Sequence, residues 1–300
     1  GDDRFYVDDV GDIVQEASGE GTDTVYAAVD CTLAAGSSVE CLRANAGTTG
    51  LTLTGNELAN TIYGGSGEDT LSGGAGNDTL NGNGGADTMA GGVGDDRFYV
   101  DDVGDIVQEA SGEGTDTLYT AVNFTLTDSQ SIEKIYVSGS AGLTLTGNSQ
   151  ANMIYGGAGS DTLYGGVGGD TLNGQGGDDR LDSGAGIDKL YGGTGSDTFV
   201  LAPGAADRDT IYDFDPSTDW LEVSRSAFDP NLALGSSILA SEFWASTTGL
   251  AHDADDRFLY DTDNGYLYFD PDGLGGTART LIGILSGAPT IGPGSFFVVP

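Results

Sequence analysis

Histidine and basic side chains are nearly missing from this chain. One His and ten Lys plus Arg stand against 47 Asp plus Glu in 300 residues, a formal net charge of −37. That balance excludes a nucleic-acid-binding surface, which needs cations to displace phosphate counterions. The lone His252 leaves no second histidine for a nucleophile–base arrangement, and neither Gly-x-Ser-x-Gly nor His-Glu-x-x-His occurs. Beside Asp253 and Asp255 in an acidic, turn-rich stretch, His252 reads as a solvated residue. Two cysteines, Cys31 and Cys41, are too few for a disulfide-dense scaffold. No apolar run approaches the ~20 residues of a membrane-spanning helix. With low hydrophobicity and high charge, the chain by itself has the composition of a disordered segment.

What is abundant is glycine, 52 residues, and it recurs with aspartate in one nine-residue pattern. Four variants run from Gly64: GGSGEDTLS, GGAGNDTLN, GNGGADTMA and GGVGDDRFY. Five follow from Gly156: GGAGSDTLY, GGVGGDTLN, GQGGDDRLD, SGAGIDKLY and GGTGSDTFV. The pattern is Gly-Gly-x-Gly-x-Asp-x-U-x, with U large and apolar. The U register runs Leu53, Ile62, Leu71, Leu80, Met89, Phe98, then Leu145, Ile154, Leu163, Leu172, Leu181, Leu190, Phe199.

A stretch such as Asp69-Thr70-Leu71-Ser72 is long enough for a very short strand with one inward side chain. The remaining residues must reverse the chain, and glycine permits the positive φ such a turn needs. The glycine carbonyls and the Asp carboxylate then offer an oxygen-only ligand set, which suits a hard cation of calcium's size. The candidate carboxylates are Asp69, Asp78, Asp87, Asp96, Asp161, Asp170, Asp179, Asp188 and Asp197. All these strict copies hold Asp, where turn preference alone would tolerate Asn or Ser. The candidate carbonyl donors at positions two and four are Gly65, Gly67, Gly74, Gly76, Gly85, Gly92, Gly94, Gly157, Gly159, Gly166, Gly168, Gly177, Gly184, Gly186, Gly193 and Gly195. Pure turn geometry is the other reading of those glycines. Asn83 and Gln175 replace the position-two glycine, which roughens those loops without abolishing a site.

The nonapeptide is identified as the calcium-binding repeat of the RTX family. The resemblance implies an all-β fold: a right-handed parallel β-roll, or calcium-stapled β-solenoid, with a C-terminal β-rich capping and secretion segment. It also implies that two nonapeptides make one coil, so each loop stacks over the next but one with Ca²⁺ between. Asp69 then pairs with Asp87, Asp78 with Asp96, Asp161 with Asp179, Asp170 with Asp188, and Asp179 with Asp197. Ten or so ions would cancel roughly twenty charges, and their binding free energy would be folding free energy.

A larger duplication overlies the nonapeptides. Residues 1–24, GDDRFYVDDVGDIVQEASGEGTDT, recur unchanged as residues 94–117, and LTLTGNELANTIYGG from Leu51 matches LTLTGNSQANMIYGG from Leu143. The chain thus divides into irregular coils over 1–45, a repeat block over 46–99, irregular coils over 100–137, a second block over 138–200, and a C-terminal segment over 201–300. SGEGTDTVY and SGEGTDTLY keep the Asp and apolar positions, which makes Asp23 and Asp116 candidate ligands. Asn60 and Asn152 stand at the Asp position of GNELANTIY and GNSQANMIY, so those loops should bind weakly. The irregular segments read as coils of a continuous solenoid, with separate β-domains as the rival. Cys31 and Cys41 align with Phe124 and Lys134 of the second copy. Their joint departure suggests that they face each other across adjacent strands, as a disulfide or as a thiol pair.

Past Val200, RFLYDTDNGYLYFD reads as a hairpin turning at Asn264-Gly265, and TLIGILSG and GSFFVVP supply further strands. These could cover the open end of a solenoid. DPDGLGG at Asp270 is a weaker candidate calcium turn. The Asp209–Phe214 pattern, the LYFDPDGLGG stretch and the terminal FFVV resemble the C-terminal ends of RTX proteins exported by type I secretion. That resemblance implies a secreted protein of a Gram-negative bacterium, the type I secretion machinery as partner, a monomer, and no catalysis within the chain. The chain opens mid-repeat, since GDDRFYV matches Gly94 to Val100, and reads as the C-terminal piece of a longer protein. Three rivals stand beside a calcium-triggered folding and export region: the stalk of a repetitive adhesin or surface-layer protein, the non-catalytic C-terminal region of a secreted hydrolase, and a polysaccharide-binding module using Tyr63, Tyr155, Tyr164 and Tyr191.

Overall fold

Each tight repeat supplies the core with one apolar side chain from a very short strand, while strands such as Arg97–Val100 and Thr198–Leu201 bury two. Thr79–Asn81 and Thr171–Asn173 each bury their central leucine completely, while the flanking residues stay at the surface. One inward residue per strand cannot bury itself alone, so stability comes from stacking identical strands in register. The computed structural model describes residues 1–45, 47, 50–204 and 208–300. Residues 46, 48 and 49, at the head of the expected 46–99 block, and residues 205–207 of the C-terminal segment lie outside them. The chain forms two compact units, Gly1–Ser138 and Gly139–Pro300.

In the first unit one face carries Arg4–Val7, Thr24–Ala27, Cys41–Ala44, Thr61–Tyr63, Thr79–Asn81, Arg97–Val100, Thr117–Thr120 and Lys134–Val137, all parallel. The opposite face stacks Cys31–Thr32, Thr52–Thr54, Thr70–Ala75, Thr88–Val93 and Ile106–Gln108, also parallel. Val25, Leu42, Ile62, Leu80, Phe98, Leu118 and Ile135 form one fully buried column. Leu53, Leu71, Met89 and Val107 form the column facing it. The longer segments around the tight repeats thus carry strands in the same parallel stack, and their extra residues are spent in the loops.

The second unit repeats the design. Met153–Tyr155, Thr171–Asn173, Lys189–Tyr191 and Asp209–Ile211 stack on one face. Thr144–Thr146, Thr162–Gly168, Arg180–Gly186, Thr198–Leu201, Trp220–Ser224 and Phe296–Val299 stack on the other. After Asp209–Ile211 the pattern breaks. Thr280–Leu285 lies parallel against it, and Tyr266–Phe269 and Phe258–Asp261 then follow antiparallel, with Phe243–Ser246 at the edge. The expected hairpin is there; its loop spans residues 262–265, with Gly265 at φ 78° and its N–H on the Asp261 carbonyl. Phe228, Phe243, Phe258, Phe269 and Phe296 pack ring against ring, with centroids 5.0–5.8 Å apart. This aromatic cluster gives the last coils a core wider than one side chain per strand.

The cysteines do not face each other. Cys31 lies on the sheet with Leu53 and Cys41 on the opposite sheet beside Thr24 and Thr61, and both thiols are free. Aligning the two copies shows which positions depart together, but residues 33–40 carry the chain from one sheet to the other.

Leu172→Ala should remove a completely buried member of the second unit's column and cost about 2–5 kcal/mol. Val167→Ala, at an exposed strand position, should cost almost nothing. Denaturant melts at fixed calcium would measure both, and equal effects would contradict the one-residue-per-strand core.

Candidate metal centres

The aspartate of each nonapeptide stands at the step from loop to strand, and its backbone and carboxylate together tie three coils, since Asp78 Oδ1 also accepts the Asn60 N–H of the coil before. The Asp78 carbonyl accepts the N–H of Arg97, which opens the strand one coil on (2.9 Å). The Asp78 N–H donates to Oδ1 of Asp96, eighteen residues along (2.7 Å). The same bond repeats as a column. In the first unit one column runs from the Leu51 N–H through Asp69 and Asp87 to Asp105, at 2.6–2.9 Å. The second runs from Asn60 through Asp78, Asp96 and Asp116 to Glu133, at 2.7–2.8 Å. A further link joins Asp3, Asp23 and Glu40, at 2.8 Å. In the second unit Leu143, Asp161, Asp179, Asp197 and Asp219 make one column, and Asn152, Asp170, Asp188 and Asp209 the other. The residue pairs implied by the eighteen-residue stacking are therefore neighbours, joined amide to carboxylate.

That bond uses only one carboxylate oxygen. Oδ2 of Asp23, Asp78, Asp87, Asp96, Asp116, Asp161, Asp170 and Asp179 is buried without a protein hydrogen-bond partner. Beside it stands the first glycine of the repeat. A Cβ on Gly73 would strike both Asp78 Oδ2 and the Gly91 carbonyl; on Gly165, Asp170 Oδ2 and the Ser183 carbonyl; on Gly174, Asp179 Oδ2 and the Gly192 carbonyl. Position one thus keeps open a space between a carboxylate oxygen and a carbonyl of the next coil. These are hard oxygen donors with unmet capacity, and they fit calcium. Asp69 differs, because its Oδ2 accepts the Gly65 N–H at 2.5 Å.

The glycines at positions two and four serve the backbone. Gly74, Gly92, Gly157, Gly166, Gly184 and Gly193 have φ between 81° and 108°, and Gly76, Gly85, Gly94, Gly168, Gly177 and Gly195 between 107° and 147°. Most also sit against the matching carbonyl of the coil before: Gly92 on Gly74, Gly85 on Gly67, Gly177 on Gly159, Gly186 on Gly168. Asn83 and Gln175 take the same left-handed turn at φ 58° and 70°. Asparagine is at home there; glutamine bears the steric cost.

Burial dominates the electrostatics. It pushes the Asp78 carboxyl up to about 7, and Asp87, Asp116, Asp161, Asp170, Asp179 and Asp197 to about 6, with amide hydrogen bonds opposing and neighbouring carboxylates adding to the rise. Asp209 rises to about 7 through burial, despite the hydroxyl of Ser183 donating to its Oδ2 at 2.7 Å. Ser183 is the repeat's one departure from glycine at position one, and it faces an acid that no nonapeptide contains.

Sequence reasoning missed the column members outside the strict repeats: Glu40, Asp105, Glu133, Asp209 and Asp219. The signal was present. Each stands two residues before a buried apolar residue of a strand, as in Glu133-Lys134-Ile135, Asp209-Thr210-Ile211 and Asp219-Trp220-Leu221, so acid-x-apolar marks a coil whatever the loop length.

The other candidates are less ordered. His252 is largely exposed, stacks on Trp244 (4.5 Å) and has Nδ1 3.2 Å from Asp253. In the Asp270 turn, Oδ1 of Asp270 accepts the Asp272 N–H and Oδ2 of Asp272 accepts that of Thr277. The tyrosine stripe is broken: Arg43 covers Tyr63, Tyr191 stacks on Tyr212, and Tyr164 lies on the opposite sheet from Tyr191.

The family model for the RTX calcium-binding nonapeptide repeat matches residues 54–89, 63–98, 72–107, 144–172 and 173–205. Among solved structures, the AlgE6R3 subunit of the mannuronan C5-epimerase of Azotobacter vinelandii is 28% identical over 53% of this chain and 80% of its own, with a TM-score of 0.24. The extracellular lipase LipA of Serratia marcescens is 18% identical over 86% of this chain, with a TM-score of 0.32; the chain spans 42% of that lipase. No curated protein matches significantly. The glycine-lined columns of half-satisfied aspartates, and the family match along them, make residues 54–107 and 144–205 calcium-binding repeats of the RTX type.

Proposed function

We propose that this chain is a non-catalytic, calcium-dependent folding region of a larger secreted protein, which crosses a type I secretion channel unfolded and forms its β-roll outside. The observation that carries the reading is the set of columned, buried aspartates, with one oxygen tied to the coil before and, in Asp78, Asp87, Asp96, Asp161, Asp170 and Asp179, the other unpartnered. So many half-satisfied carboxylates oppose folding until a cation joins them. Bound calcium supplies the charge and coordination that the Oδ2 atoms lack. The ligands would be Oδ2 of Asp78, Asp87, Asp96, Asp161, Asp170, Asp179, Asp188 and Asp197, with Asp23 and Asp116 in the wider coils. Carbonyls of the position-one, -two and -four glycines would complete the shell. Asp69 would join after releasing the Gly65 N–H.

The identical 24-residue stretches favour a second reading, in which such units repeat as the stalk of a surface protein. A chain-length protein carrying many further units, rather than a catalytic domain, would decide for it.

Titrating Ca²⁺ into metal-stripped chain should convert a coil-like circular dichroism spectrum to a β spectrum, cooperatively, near 10⁻⁴–10⁻³ M, with magnesium a poor substitute. A β spectrum in excess chelator would refute the proposal. Asp179→Asn should damage the stacked links to both Asp161 and Asp197 and shift the midpoint more than His252→Asn, which should leave it in place.

The pH dependence has a definite sign. The carboxyls are raised in the metal-free coil, so their contribution is full below the ordinary Asp range near 4 and is lost as pH rises through about 6–7. In chelator, the coil should therefore gain stability as pH falls from 7.5 to 5. Protons and calcium compete for the same oxygens, so the calcium affinity of the already folded coil, read by ion uptake, should weaken over that range. An uptake affinity that stayed level would mean the buried aspartates are not the ligands.

Deleting residues 201–300 should raise the calcium midpoint of the adjacent repeats, because Asp209, Asp219 and the Thr280–Leu285 and Phe296–Val299 strands complete the last coils. Deleting only about the last sixty residues should abolish type I export from a Gram-negative host. Normal secretion of that shorter chain would remove the export role while leaving calcium binding intact.

A further inference from the structure

Three buried acids meet where the first repeat block gives way to a wide coil. Asp96 closes the last nonapeptide of that block, Asp116 opens the strand Thr117–Thr120, and Glu109 follows the strand Ile106–Gln108. Each can present an oxygen within 4.8 Å of the others, and all three are buried. The coil here spans twenty residues between Asp96 and Asp116 instead of eighteen. Its extra length brings Glu109 in.

Glu109 is the unusual member. It is 3% exposed, and neither carboxylate oxygen has a hydrogen-bond partner. Its backbone is held, because its carbonyl accepts the Ser131 N–H at 3.0 Å. The side chain presents an oxygen within 4.8 Å of one on Asp96 and one on Asp116, whose own Oδ2 atoms are likewise unpartnered. Gly91 leaves the room: a Cβ there would run into both Asp96 Oδ2 and Glu109 Oε2. Glu113 brings another carboxylate against Glu109. Among the described residues, no arginine or lysine forms an ion pair with any of these acids. Buried like charges at this spacing cannot all ionise without a counter-charge. A glutamate that served only packing would gain by being apolar.

We propose that Asp96, Glu109 and Asp116 form a separate calcium site, of three carboxylates rather than carboxylate and glycine carbonyls, that closes the wide coil in place of a tight nonapeptide loop. The proposal rests on the calcium reading of the repeats. The same residues recur in the first copy as Asp3, Glu16 and Asp23, which also converge, there in a more exposed setting. The higher ligand charge should make the Glu109 site tighter for Ca²⁺, and for trivalent Tb³⁺, than its nonapeptide neighbours.

Glu109→Gln in the full chain tests this, with bound calcium counted by native mass spectrometry and Tb³⁺ luminescence titrated in parallel. The expected result is one ion fewer per chain, loss of the tightest Tb³⁺ class, and retention of the remaining ions. Glu16→Gln combined with it should remove a second. An unchanged ion count, with a coil that is more stable in chelator, would show that Glu109 is a protonated core acid and overturn the site. If the variant fails to fold, a calcium-loaded crystal structure of the unaltered chain decides. An ion about 2.3–2.6 Å from a Glu109 carboxylate oxygen supports the site, and none there overturns it. Failure of the underlying calcium reading would look different, since the unaltered chain would then take up no calcium at all.

Discussion

The structure depends on a single bond repeated along each column: a backbone N–H donated to a buried carboxylate oxygen one coil further on. It sets the spacing of the loops, because the donor and acceptor are both aspartates at the same position of successive coils. It also commits one oxygen of every carboxylate to the fold while leaving the other unsatisfied. A neutral partner in that place, as at Asn60 or Asn152, makes the same bond without bringing the charge. The acidity of the chain is therefore concentrated where the coils meet, which is the costliest place for it unless a cation is present.

The remaining parts serve that arrangement. The apolar columns supply the favourable burial, one side chain per strand, at about 1.5–3 kcal/mol each. The glycines allow the coils to approach so closely that backbone rests on backbone, which no Cβ would permit. Where the columns end in the second unit, the chain abandons the narrow coil for an antiparallel sheet and an aromatic cluster, so the final coil lies against packed side chains instead of bare strand edges.

Much of this was legible in the sequence. The nine-residue step disclosed the strands, the inward residue and the acid before it, because a strict period leaves no freedom in register. What escaped were features of the irregular coils. Glu40, Asp105, Glu133, Asp209 and Asp219 hold the same place in the columns as the repeat aspartates, but their loops have other lengths, so counting in nines passes over them. Glu109 stands outside the nine-residue period and shows only in the longer duplication, as the partner of Glu16, since it reaches the column from a neighbouring strand end. Cys31 and Cys41 misled for a related reason: a wide coil crosses between sheets where a hairpin would have turned back. The pattern gave the first glycine a part in the turn, and its neighbours show that it also keeps space beside a carboxylate oxygen and a carbonyl of the next coil.

The direction of the column bond has its own consequence. The N–H of each repeat aspartate that joins a column points toward the C-terminal side, so its acceptor belongs to the coil that follows. The strand amide beside it donates the other way, as from Arg97 to the Asp78 carbonyl and from Thr198 to the Asp179 carbonyl. Each junction is thus a two-way exchange, in which neighbouring coils lend each other an acceptor and neither is complete alone.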